Sequence, residues 1–188
     1  MKQIISFSLI MLSCIICISQ SNTMEKVPKQ KTIDIGYRYM MSNNFQNKAD
    51  YGYSLEFDYA WKLSGFVNKK AVFISIPLGY TYLMPKDTSS EAMRLLSYGW
   101  TVRHELAKNK KIIPFLGYGL LLNQLSINKT DGGIMGHQTR FEFGVNFNRQ
   151  KKIIPMIKIE YTYSSFPSLG EKKRKSLQYL ELKGGIRF

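Results

Sequence analysis

The sequence offers almost no sulfur chemistry: its two cysteines, Cys14 and Cys17, both lie within the first 17 residues. Beyond them there is no thiol for a disulfide, a metal thiolate or a nucleophile. Neutral-pH bases are nearly as scarce, His104 and His137 being the two histidines. Acids are outnumbered, 13 against 27 Lys and Arg in 188 residues, which leaves a formal charge of +14. A Gly-rich phosphate loop, a zinc-ligand spacing and a nucleophile elbow are also missing, and Gly117-Tyr118-Gly119 and Gly132-Gly133 fit none of them. The expectation is a non-enzymatic protein with no catalytic, cofactor-binding or metal-binding residues. After the first 20 residues no apolar run approaches the roughly 20 residues of a membrane-spanning helix, which excludes a helical membrane protein.

The N-terminus reads as an export signal. Met1-Lys2 supplies the positive start, and Ile4 to Ile18 is an apolar run broken by Ser6, Ser8 and Ser13. Cys17-Ile18-Ser19 offers small residues for cleavage, so residues 1–19 are expected to be removed after Ser19, with an uncleaved anchor as the alternative. Leu12-Ser13-Cys14 is a faint lipoprotein box, but it leaves a signal of only 13 residues before the cysteine. Residues 20–30 form a polar, flexible segment in this reading, and residues 31–188 form one domain.

What is abundant is aromatic residues, 12 Tyr and 11 Phe, arranged with a period of two. From Tyr51 to Trp61 the odd positions are Tyr51, Tyr53, Leu55, Phe57, Tyr59 and Trp61. The even ones are Gly52, Ser54, Glu56, Asp58 and Ala60. Such a segment is a strand with one apolar and one polar face. Seven more segments read the same way: Lys31–Met41, Ala71–Met84, Leu95–Ala107, Ile112–Gln124, Met135–Asn148, Ile153–Ser164 and Leu177–Phe188. A repeat supports the count, since Lys110-Lys111-Ile112-Ile113-Pro114 recurs 41 residues later as Lys151-Lys152-Ile153-Ile154-Pro155. A unit of that length is one hairpin with its connections. Short turns around Lys69-Lys70, Lys108 to Lys111 and Asn148 to Lys152 alternate with longer loops at Ser42–Asp50, Pro85–Met93, Ser126–Ile134 and Ser165–Lys175. Short turns on the periplasmic side and long loops outside are the pattern of a membrane barrel with both termini inward.

The predicted fold is therefore all-β, an eight-stranded antiparallel up-and-down transmembrane β-barrel. A lipocalin-like barrel would turn the apolar face inward instead. The tyrosines decide against it: Tyr37, Tyr39, Tyr51, Tyr53, Tyr80, Tyr82, Tyr161 and Tyr163 all fall on apolar faces near the outer rim, and Trp61 lies near the other rim. Aromatic bands at two rims suit two membrane interfaces. The last strand, alternating from Leu180 to a terminal Phe188, is similar to the C-terminal signal of outer-membrane barrel proteins, and the whole mature chain resembles the small OmpA/OmpX-like outer-membrane β-barrel family. That resemblance implies a Gram-negative outer membrane and a final strand, ending at Phe188, that the barrel assembly machinery reads.

Placing polar faces inside puts Arg38, Lys62, Arg103, Arg140, Lys158, Lys183 and Arg187 in the interior against Asp34, Glu56, Asp58, Glu105, Glu142, Glu160 and Glu181. Seven bases meet seven acids in a barrel just wide enough for side chains to fill, which predicts a paired plug in place of a channel. Arg103-His104-Glu105 and Arg140-Phe141-Glu142 each set opposite charges two apart on one face. The surplus charge then belongs to the rims. The short turns carry Lys69, Lys70, Lys108, Lys110, Lys111, Arg149, Lys151 and Lys152, either a collar on anionic headgroups or solvated charges. Lys172, Lys173, Arg174 and Lys175 are candidates for contact with lipopolysaccharide phosphates, a solvated charge run being the alternative. Bases at two rims form no continuous stripe, which argues against nucleic acid. No protein partner is identifiable.

The functional expectation is a structural or surface-interaction barrel, with a narrow pore or a lipid-A-modifying enzyme as alternatives. The enzyme alternative rests on outward-facing His137 and Thr139, which lack an outward carboxylate to orient the imidazole. Pro114 and Pro155 fall at strand starts, whereas Pro77 falls within a strand and predicts a bulge.

Overall fold

The computed structural model describes residues 29–43, 49–63, 71–86, 92–107, 111–127, 133–147, 152–167 and 174–188. The export signal, its cleavage site and most of the turn and loop lysines lie outside these residues. Eight strands run in chain order: β1 Lys29–Asn43, β2 Ala49–Leu63, β3 Val72–Pro85, β4 Met93–Glu105, β5 Ile112–Ser126, β6 Ile134–Phe147, β7 Ile154–Phe166 and β8 Lys175–Arg187. Each pairs antiparallel with its sequence neighbours, and β1 pairs with β8, so the sheet closes and leaves no edge. Lys31 and Phe188 exchange both backbone hydrogen bonds, 2.8 and 2.9 Å, which stitches the last residue into the seam.

The ladders fix the size of the barrel. Followed from Tyr37 in one direction they reach β2 at Tyr53, and followed the other way round they reach it at Leu63, ten residues further along. A stagger of ten over eight strands, with strands ~4.8 Å apart and ~3.3 Å per residue, tilts the strands by roughly 40° and gives a radius of about 8 Å. That radius brings long side chains from opposite walls into contact.

Tyr51, Tyr53, Leu55 and Phe57 of β2 face outward and are exposed, while Gly52, Ser54, Glu56 and Asp58 face inward and are buried. The same holds round the barrel. Ile35, Leu78, Trp100, Tyr118, Phe141, Ile157 and Leu182 are exposed on the outside, and the charged residues are within. An apolar exterior around a charged interior reverses the arrangement of a water-soluble barrel, and only a lipid solvent stabilises it. The chain is a membrane-spanning barrel.

Three expectations need correction. Every strand extends further at the loop end than the alternation indicated, to Asn43 in place of Met41 on β1 and from Lys175 in place of Leu177 on β8. There the inward face turns apolar: Met40, Leu83, Met93, Leu95, Leu125, Phe166, Leu177 and Tyr179 point inward as one buried apolar cluster, against which Ile127 and Ile134 pack. Second, Pro77 makes no bulge. It stays opposite Asp58, and the β3–β4 ladder has the same register on either side of it, at Ser75↔Thr101 and Leu78↔Tyr98. The missing donor is accommodated as a gap in the ladder, and the bulges lie instead near the loop end, between Met40 and Ser42 and between Ala49 and Tyr51. Third, Lys62 is only half-buried at the inner rim, so six bases and seven acids are fully buried among the described residues. One loop requirement is visible at Gly133, which enters β6 with φ 71°, a left-handed conformation that favours glycine.

Candidate functional site

The interior is built in layers. The middle layer is ionic, and its register poses a problem: Glu142, Glu160 and Glu181 stand side by side across β6, β7 and β8, and Lys158 stands beside Lys183. Like charges in cross-strand contact are destabilising. The conflict is resolved from the opposite wall. Glu56 of β2 accepts a two-pronged bond from Arg140, at 2.9 Å to Nη1 and 2.7 Å to Nη2, and also touches Lys183 Nζ at 2.9 Å and Lys158 Nζ at 3.3 Å. Lys158 bridges Asp34 and Glu160, both at 2.8 Å, and Lys183 reaches Glu160 at 2.8 Å. Each row of like charge is thus interleaved with the other, and Glu56 is the hub.

Arg38 and Arg103 extend the network towards its two ends. Arg38 donates to Glu181 at 2.7 Å and lies 3.7 Å above the Tyr179 ring, and Ser54 donates to the same carboxylate. Arg103 donates to Glu142 at 2.9 Å and to Asp58 at 3.4 Å, and stacks 4.7 Å from Phe115. The partners of Arg103 therefore come from strands that are not its neighbours, and the fork of Arg140 reaches Glu56 on the opposite wall. Spacing along one strand could not reveal them, because the ~8 Å radius is what brings them together. Glycines make the room: a Cβ on Gly117 would meet the Glu142 carboxylate, and one on Gly185 would meet Asp34.

Above the ions lies a neutral polar layer in which Asn123 Nδ2 donates to Gln138 at 3.4 Å and Ser164 to the same oxygen at 3.5 Å. Above that sits the apolar plug at the loop end. At the inner end Arg187 packs between Phe73 and Phe115, 5.9 and 6.0 Å from their rings, with Glu105 3.6 Å away. Layers of apolar, polar, ionic and mixed side chains thus fill the barrel along its length.

Outside, all eight rim tyrosines expected from the sequence are exposed. Tyr37 stacks on Tyr51 and meets Tyr53 edge-on, with centroids 6.1 and 5.8 Å apart, and Tyr59 meets Trp61 edge-on at 4.7 Å. His104 is exposed beside Tyr118, with centroids 6.2 Å apart. His137 is exposed, and the Thr139 hydroxyl donates to the Tyr163 carbonyl at 3.5 Å. These two residues share a face, but the described residues bring no carboxylate to them. No group of three or more His, Cys, Asp or Glu among the described residues could hold a metal ion. Lys111, Lys152 and Arg174 are exposed at the rims, Lys175 begins β8 half-buried, and Lys172 and Lys173 lie outside the described residues.

No protein-family model and no curated protein matches the sequence. Solved structures do match the fold. Neisserial surface protein A superposes with a TM-score of 0.60 at 16% identity, over 85% of this chain and 95% of that one. The outer membrane enzyme PagL superposes with a TM-score of 0.55 at 16% identity, over 81% of this chain and 97% of that one. One is a surface protein and the other an enzyme, so the shared architecture does not by itself assign a role. Closed strand order, inverted polarity and these superpositions together make this chain a small eight-stranded antiparallel β-barrel with the fold of outer-membrane barrel proteins.

Proposed function

We propose that the protein is a non-enzymatic outer-membrane scaffold, exported by residues 1–19, whose sealed barrel displays its outer loops for contact at the cell surface. The observation that carries this reading is the interior: Arg140, Lys158, Lys183, Glu56 and Glu160 are each no more than 2% exposed and mutually paired. A substrate or a permeant ion would have to displace them. The final strand, closed on β1 through Phe188, serves as the segment that the assembly machinery reads, and Lys172, Lys173, Arg174 and Lys175 supply cations for the phosphates of outer-leaflet glycolipid.

The test uses the full-length protein in Gram-negative cells. Mass spectrometry of lipid A from cells with and without the protein is expected to give identical acylation patterns, and a lost acyl chain that depends on His137 would establish the enzyme reading instead. Glycolipid phosphate that co-purifies with the protein in mild detergent is expected to fall when residues 172–175 are all replaced by alanine. Unchanged phosphate would remove the loop's assigned role.

A further inference from the structure

Strands β1 and β5 are the best rulers of how the barrel sits in lipid. Both have 15 residues, both run from the inner rim to the loop end, and they lie on opposite walls. Their outward faces differ. On β1 the first outward residues are Lys29 and Lys31, both exposed, and the apolar stretch runs from Ile33 to Met41, the fifth to the thirteenth residue. On β5 it starts at once with Ile112, 55% exposed, and ends at Leu122, the eleventh, after which Gln124 and Ser126 follow. The apolar stretch of β1 is displaced towards the loop end at both of its limits.

The apolar plug provides a second ruler, because its members mark one level round the barrel. Met40, Leu83, Leu125 and Leu177 all belong to it. Their outward-facing sequence neighbours are Tyr39, Met41, Tyr82 and Met84 on β1 and β3, but Gln124, Ser126, Ser176 and Gln178 on β5 and β8. The exposed Asp50–Lys86 ion pair, 3.5 Å, caps the apolar wall on the β2–β3 side. Apolar surface left above a level hydrocarbon boundary would face water, and Lys31 would face acyl chains.

We propose that the barrel is tilted in the membrane, with the wall formed by β1 to β3 set deeper towards the periplasmic side than the wall that holds β5. The surface that covers Tyr39, Met41, Tyr82 and Met84 is lipid, because this patch is continuous with the membrane-facing girdle below it. A displacement of about four residues between opposite walls, at ~2.5 Å of height per residue on a strand tilted by roughly 40° and across a barrel ~16 Å wide, corresponds to a barrel tilt of roughly 30°. A second copy of the chain seated on the aromatic patch would explain the outer edge and leave the inner edge of β1 without a reason.

Spin labels test this at both edges. Single cysteines at Lys31→Cys, Tyr39→Cys, Leu116→Cys and Gln124→Cys, each in a chain carrying Cys14→Ser and Cys17→Ser, are labelled and reconstituted in phosphatidylcholine vesicles. Collision rates with oxygen, which concentrates in hydrocarbon, and with a water-soluble nickel chelate report depth. The expected pattern is crossed: labels at 39 and 116 favour oxygen several-fold relative to labels at 124 and 31. An upright barrel, in which 39 matches 124 and 31 matches 116, overturns the proposal. So does a label at 39 sheltered from both reagents and dipolar-coupled to its copy, which would place a second chain on the patch.

Discussion

Glu56→Gln is expected to lower the stability of the barrel by about 3–5 kcal/mol, the usual result of removing one partner from a buried, paired charge. Counting charges predicts the opposite, since six buried bases face seven buried acids and the change would balance them. Geometry decides between the two. Glu56 alone satisfies both terminal nitrogens of the Arg140 fork and also meets Lys183 and Lys158, whose other partners include Glu160 and Asp34, so a neutral amide leaves the Arg140 fork without its charged partner and weakens the pairing of both lysines. Glu105→Gln balances the count equally well but removes longer contacts, 3.6 Å to Arg187 and 3.5 Å from Asn146, so a smaller loss is expected. The exposed Asp50, 3.5 Å from Lys86, sets the baseline: Asp50→Asn should change stability by no more than about 1 kcal/mol. Urea unfolding in lipid vesicles, followed by tryptophan fluorescence, ranks the three. Equal losses for Glu56→Gln and Glu105→Gln would show that net charge, not the hub, governs the interior.

Phe166→Ala should be comparably severe for a different reason. Phe166 is fully buried in the plug at the loop end, where there is no acyl solvent to fill a void, and truncating a buried Phe costs about 3–5 kcal/mol. The plug sits at the loop end of strands that outreach the apolar band: strands of 13 to 15 residues, tilted, are ~33–38 Å tall against an apolar band of about 25 Å. That end is held together by apolar side chains inside, with polar neighbours outside on β5 and β8 and apolar ones on β1 and β3. Because the plug and the ion hub occupy separate layers, the losses from Phe166→Ala and Glu56→Gln should add to within ~0.5 kcal/mol in the double variant. A double variant no less stable than either single one would mean that both changes collapse the same unit.

The plug is also where the sequence was hardest to read. From Tyr51 to Trp61 one face is apolar and the other polar, so the alternation is visible and the strand is found. At Tyr39-Met40-Met41 or Tyr82-Leu83-Met84 both faces are apolar, the alternation vanishes, and the pattern stops although the ladder continues. The burial of Asp34, Arg38, Glu56, Lys158 and Lys183 was legible because parity alone assigns a face. Lys62 has the right parity but sits at the rim, where parity no longer implies burial. Pairing partners were out of reach, since the contact between Glu56 and Arg140 spans 84 positions and depends on the ten-residue stagger of the closed sheet. Pro77 misled for a local reason: a lost donor can be met by a ladder gap as well as by a bulge, and the β3–β4 register is the same on both sides of the gap.

The sealed interior is the claim on which the functional reading depends, and single-channel recording tests it most directly. Full-length protein purified in mild detergent and inserted into planar lipid bilayers should leave the current at baseline across the physiological range of potential, because the paired Glu56, Arg140, Lys158 and Lys183 and the apolar plug above them leave no aqueous path. Reproducible discrete openings, of one conductance and abolished by heat unfolding, would contradict it.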